Sequence, residues 1–92
     1  MATYVMLGKY SIEGLKGISA KRSDDARVLI KQHGGELRAV YALLGEFDLL
    51  GIVELPDTAR AMQTSAALAK MLGVKLTTAP AVTLEDFDKL MG

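Results

Sequence analysis

Few side chains in this sequence could hold or transform a ligand. Asp48 closes the segment "GEFD", Gly45 to Asp48, at the head of the apolar run "LLGIVEL". A carboxylate there reads either as a ligand anchor or base with a raised pKa, or as an acceptor for the turn amides of Gly45 and Glu46. Arg22 falls on the stripe Leu15, Ile18, Ala26 and Leu29 if one regular helix runs through them. Its guanidinium would then face a sheet and could clamp a carboxylate ligand; otherwise its stem packs while its head meets solvent or an internal acid. Gly45, Phe47, Asp48 and Arg22 are the candidate ligand-binding set, and no residue is assigned to catalysis. His33, the one imidazole, precedes Gly34-Gly35 and suits the negative end of a helix dipole, with no orienting partner for a general base. Asp24 and Asp25 diverge on a helix and read as a solvated face.

The chain contains no cysteine and one histidine, so disulfides and thiolate chemistry are excluded and no metal or other cofactor is expected. Eleven basic residues balance eleven acidic ones without clustering, which argues against nucleic acid as a partner. No apolar run approaches the roughly 20 residues of a membrane span, and "MATYVMLGKYS" lacks the basic segment followed by a longer apolar one that a secretory leader is expected to have. The expected location is cytoplasmic.

The elements that would position the candidate residues are set by local signals. "TYVMLGKY" predicts a strand over residues 3–10, with Ser11 as the N-cap of the next helix. Gly14 and Gly17 weaken the helix from Ile12 to His33, so a break is expected near Gly17 and the main helix near Ser19. Gly34 or Gly35 ends it in the left-handed conformation. "ELRAVYALL" and "FDLLGIVEL" read as strands joined by a hairpin at Gly45-Glu46, where glycine supplies a positive φ. Pro56 stops the second of them, and Asp57 caps the Ala-rich helix that Gly73 ends. "VKLTTAPAV" is a last strand that Pro80 confines to an edge or bulge, and Thr83 with Asp86 caps a short terminal helix.

This order, treated as one domain over residues 1–92, predicts an α+β ferredoxin-like βαββαβ sandwich. Its four-stranded antiparallel sheet would carry both long helices on one face. The strands lack the alternation of a half-solvated sheet. Phe47, Leu49, Val53 and Leu55 share one face while Leu50 and Ile52 lie on the other; Leu37, Tyr41 and Leu43 oppose Val40 and Leu44. Helices cover only one side. A second copy covering the other predicts a homodimer with facing sheets, against the alternative of apolar residues scattered on a monomer surface. Gly8, Gly51, Ala42 and Ala79, with Thr77 and Thr78, leave either volume for a ligand or close backbone contact.

The set "ELRAVYALL", "GEFD", "DLLGIVELPD", "HGG" and "TTAPAVTLEDF", spread over nearly the whole chain, resembles the GYD family of the dimeric α+β barrel superfamily. Phe47 stands where the name-giving tyrosine would be, so the aromatic ring is kept and the phenolic hydroxyl is not. The resemblance implies the ferredoxin-like fold and a barrel of two facing sheets, and carries no biochemical activity with it. The hairpin is also similar to the "G-x-[YF]-D" turn in effector-binding domains of leucine-responsive transcription regulators, without their DNA-binding segment. Two functions stay open: a homodimeric module, of higher order in some assemblies, binding a small molecule in or beside its barrel; or a small cofactor-independent or haem-handling oxygenase or isomerase of the same superfamily.

Overall fold

Ser11, Ser19, Asp57 and Thr83 each begin a helix in the computed structural model, which describes residues 1–92. Each side-chain oxygen accepts the backbone N–H three residues on, from Gly14, Arg22, Arg60 and Asp86 respectively, satisfying an amide that has no partner inside the helix. Those caps divide the chain into β1 (Ala2–Tyr10), α1 (Ile12–Lys16), α2 (Ala20–Gln32), β2 (Glu36–Ala42), β3 (Leu49–Leu55), α3 (Thr58–Leu72), β4 (Val74–Ala81) and α4 (Leu84–Met91). The sheet runs β2-β3-β1-β4, every neighbouring pair antiparallel, which is the ferredoxin-like arrangement. No helix is long and apolar enough to cross a membrane.

The core forms where α2 and α3 lie on one side of the sheet. Tyr4, Met6, Val53 and Leu55 point up from the strands to meet Ile30, Ala61 and Leu68, all at most 4% exposed. Thr64 is fully buried among them, and its hydroxyl donates to the Arg60 carbonyl at 2.7 Å, so its polar group is not stranded.

The predicted break at Gly17 is present and changes the helix face. Because α1 stops at Lys16 and α2 restarts after Ser19, Leu15 and Ile18 do not continue the stripe of Ala26 and Leu29. Both are more than half exposed, whereas Ala26 and Leu29 pack against the core. The start of α1 is fixed by a crowded crossing. The Ser11 N–H and hydroxyl both donate to the Gly73 carbonyl, at 2.8 and 3.0 Å, and a Cβ on Gly14 would stand 2.2 Å from that same oxygen.

Two strand expectations need correction. A register shift between Leu37 and Ala39 makes Arg38 an extra residue in β2, so the face assignments change part-way along the strand. Leu37 opposes Val53 and Val40 opposes Gly51 on the helix side, while Ala39 opposes Ile52 and Tyr41 opposes Leu50 on the open side. Simple alternation groups Tyr41 with Leu37 instead. The extra residue is anchored: Arg38 Nε bonds the Glu54 carboxylate, and its Nη1 lies 3.8 Å from Glu36. The connection between β2 and β3 is also wider than a two-residue turn. Leu43 to Asp48 lie outside both strands, and the Leu43 N–H closes the loop onto the Asp48 carbonyl at 2.8 Å.

The opposite face of the sheet carries Val5 and Leu7 of β1, Leu50 and Ile52 of β3, Tyr41 of β2 and Ala79 of β4, as the cross-strand pairs require. Neither α2 nor α3 covers it. Tyr41 is 58% exposed there.

Candidate functional site

Asp48 secures the hairpin through three of its groups. Its N–H donates to the Gly8 carbonyl at 2.8 Å and its carbonyl accepts from Leu43, so it prolongs the pairing of β1 with β3 by one step. Its carboxylate Oδ2 accepts the backbone N–H of Tyr10 at 2.8 Å, a bond to the end of β1 instead of to the amides of Gly45 and Glu46. That leaves Oδ1 without a protein donor.

Tyr10 then joins Asp48 to Arg22. Its backbone meets the Asp48 carboxylate, while its ring lies under the Arg22 guanidinium, whose Cζ is 5.5 Å from the ring centroid. Gly17 makes room, since a Cβ there would come within 2.6 Å of Arg22 Nη1. No acidic side chain lies within 4.0 Å of Arg22, so its positive charge is held by the ring and by solvent alone. A cavity of about 80 Å³ opens beside it, lined among others by Tyr10, Ile18, Ser23, Val40 and Leu72. Arg27 lines the same cavity, also without an acidic partner, so two guanidiniums beside an apolar wall leave room for a carboxylate and a few aliphatic carbons, well short of the roughly 300 Å³ of an ordinary ligand pocket.

Of the four residues singled out from sequence, Arg22 and Asp48 come together around Tyr10, and Gly45 and Phe47 lie in the adjoining loop. Gly45 has φ +134° and open space around the position of a Cβ. Phe47 is half-buried, and Lys9 Nζ holds the loop by donating to the Glu46 carbonyl at 3.1 Å. Tyr10 escaped the sequence reading. Its one signal was an aromatic residue directly before an N-cap serine, and its role depends on a helix that restarts nine residues later. His33 occupies the C-cap of α2, with Nδ1 enclosed and unpaired.

A second concavity, of about 330 Å³, lies between α3 and β4. Its hydroxyls mostly satisfy one another: Ser65 Oγ and Thr78 Oγ1 are 2.9 Å apart, and Tyr4 Oη and Thr58 Oγ1 are 3.4 Å apart. No three His, Asp or Glu side chains converge in a geometry for a metal ion. On the open face, Arg38 has its pKa raised by the Glu54 hydrogen bond and then by the charge of Glu36.

The family model described as GYD domain matches residues 4–91. The chain belongs to the GYD family. Among solved structures, this GYD domain is similar to FFRP-DM1, with a TM-score of 0.60 at 21% identity over 89% of this chain and 100% of that one. It is similar to the hypothetical protein PHS023 from Pyrococcus horikoshii, with a TM-score of 0.58 at 21% identity over 90% of this chain and 92% of that one. The leucine response regulatory protein LrpA of Mycobacterium tuberculosis gives a TM-score of 0.60 at 11% identity, over 89% of the GYD chain. The GYD chain spans 51% of LrpA. At these identities the likeness is one of fold. No protein of curated function matches the sequence.

Proposed function

We propose that this GYD domain works as a homodimeric module, its open sheet face closed by that of a second copy, and binds a small carboxylate-bearing molecule beside the resulting barrel. The observation that carries the reading is the uncovered row of Val5, Leu7, Leu50 and Ile52 on the side of the sheet away from α2 and α3. Apolar side chains lined up in this way gain about 25 cal/mol for each Å² removed from water, and a self-complementary face suits a two-fold contact. Arg22 over Tyr10 supports the ligand class, because a guanidinium without an acidic partner beside an apolar cavity favours a carboxylate with an aliphatic body. LrpA, named for a leucine response, makes free amino acids the first probes.

Two measurements test the reading. Sedimentation equilibrium should give twice the 9.9 kDa chain mass, and Ile52→Lys should return the single-chain mass with the helical signal kept. A melting screen with leucine, other amino acids and short carboxylates should find at least one that stabilises. Ligand at ten times its Kd adds about 1.4 kcal/mol, or about 6 °C for a domain of this size. Arg22→Gln should keep the parent melting temperature and lose that response. A parent that stays monomeric at high micromolar concentration ends the homodimer reading, and an Arg22→Gln variant that responds like the parent ends the ligand assignment.

A further inference from the structure

The most amphipathic helix of the chain touches the core least. In α4, Leu84, Phe87, Leu90 and Met91 recur at the spacing of one helical face and are 74%, 46%, 71% and 68% exposed, with Glu85, Asp86, Asp88 and Lys89 on the remaining surface. An eight-residue helix is marginal in water without packing on an apolar face, even with the Thr83 cap and the Glu85–Lys89 pair at 3.6 Å. Something must cover the stripe. None of its four apolar side chains belongs to the core or packs against it.

We infer that α4 is an arm that lays this stripe on a second copy of the chain and enlarges the contact between open sheet faces; the inference rests on the homodimer proposed above. The first support is continuity. A concavity of about 530 Å³ joins Val82 and Asp86 at the start of the arm to Val5 and Ile52 on the open face, so a copy seated on that face reaches the root of α4. The second is area. Four strands about 4.8 Å apart and about eight residues long at about 3.4 Å per residue give a flat footprint of about 520 Å², beside the about 800 Å² of accessible surface per partner in a standard specific interface. A flat contact of that size leaves room for more, and α4 brings four exposed apolar side chains next to it. The stripe therefore adds contact to that of the sheet.

The test uses the full chain with Phe87→Glu and Leu90→Glu together, both being exposed positions whose change leaves the core intact. Sedimentation should show the dimer Kd weakened at least ten-fold, with circular dichroism losing no more helix than α4 contributes and Phe87→Leu behaving like the parent. Because the chain has no tryptophan, Phe87→Trp supplies a single reporter. Its emission should be blue-shifted in the dimer and move to the red on dilution through the Kd. A doubly charged variant that dimerises as tightly as the parent, with Trp emission constant through dissociation, overturns the arm and leaves the homodimer standing. Emission that stays blue-shifted in the dissociated chain also overturns it, since α4 would then lie on its own sheet, and a parent that never dimerises overturns both readings.

Discussion

Gly14, within α1, and Gly45, in the loop between β2 and β3, are glycines for opposite reasons. At Gly14 the surroundings are full: a Cβ would meet the Gly73 carbonyl oxygen at 2.2 Å and the Leu72 carbonyl oxygen at 2.8 Å, both backbone atoms that cannot swing aside. At Gly45 the surroundings are empty within 4 Å, but φ is +134°, where a side chain strains its own backbone. One position is reserved by its neighbours and the other by its torsion. The end of β1 is thus clamped by packing on the α1 side and held by conformation and hydrogen bonds on the hairpin side.

That contrast orders the expected effects of substitution. Gly14→Ala should be the most damaging, costing about 3 kcal/mol or more because a rigid crossing is overpacked, and urea titration should show a midpoint far below the parent's. Larger residues there should prevent folding. Gly45→Ala and Gly45→Gln should each cost about 1 to 2 kcal/mol and differ little, since length does not matter in open space. A Gln variant much worse than Ala would mean that the loop is packed after all. Asp48→Asn should cost about 1 kcal/mol or less, because an amide oxygen still accepts from Tyr10, whereas Asp48→Ala leaves that N–H unpaired and should cost more.

Arg38→Ala should have the smallest effect, with a melting temperature inside the scatter of the parent's, because the pair with Glu54 stands at an exposed edge. Its pH signature is likewise flat. A base whose folded pKa is raised contributes below its unfolded pKa and loses that contribution only above the folded one. For a guanidinium both lie far above the physiological range, so this group gives no slope in stability between about pH 6 and 9.

The helix caps were legible because a cap is a local contract between one side chain and an amide three residues on: Ser11, Ser19, Asp57 and Thr83 need no knowledge of the rest of the molecule. The positive φ of Gly45 was legible for the same reason, as was a left-handed glycine at Gly34 or Gly35, which is Gly34, and the helix end at Gly73. The extra residue at Arg38 was not, since a register shift exists only relative to the partner strand. Within the candidate site, Asp48 and Arg22 stood out by residue type. Their meeting through Tyr10 did not, because one link spans 38 positions and the other depends on where a broken helix restarts.

Both outer strands of the sheet carry a defect in their exposed ladder. In β2 the extra residue at Arg38 interrupts the regular spacing of donors and acceptors, and in β4 Pro80 has no N–H to offer a newcomer. A free chain that tried to extend the sheet sideways would find mismatched templates at either border. Fibril growth by strand addition is thereby discouraged, although half the residues of the sequence are hydrophobic.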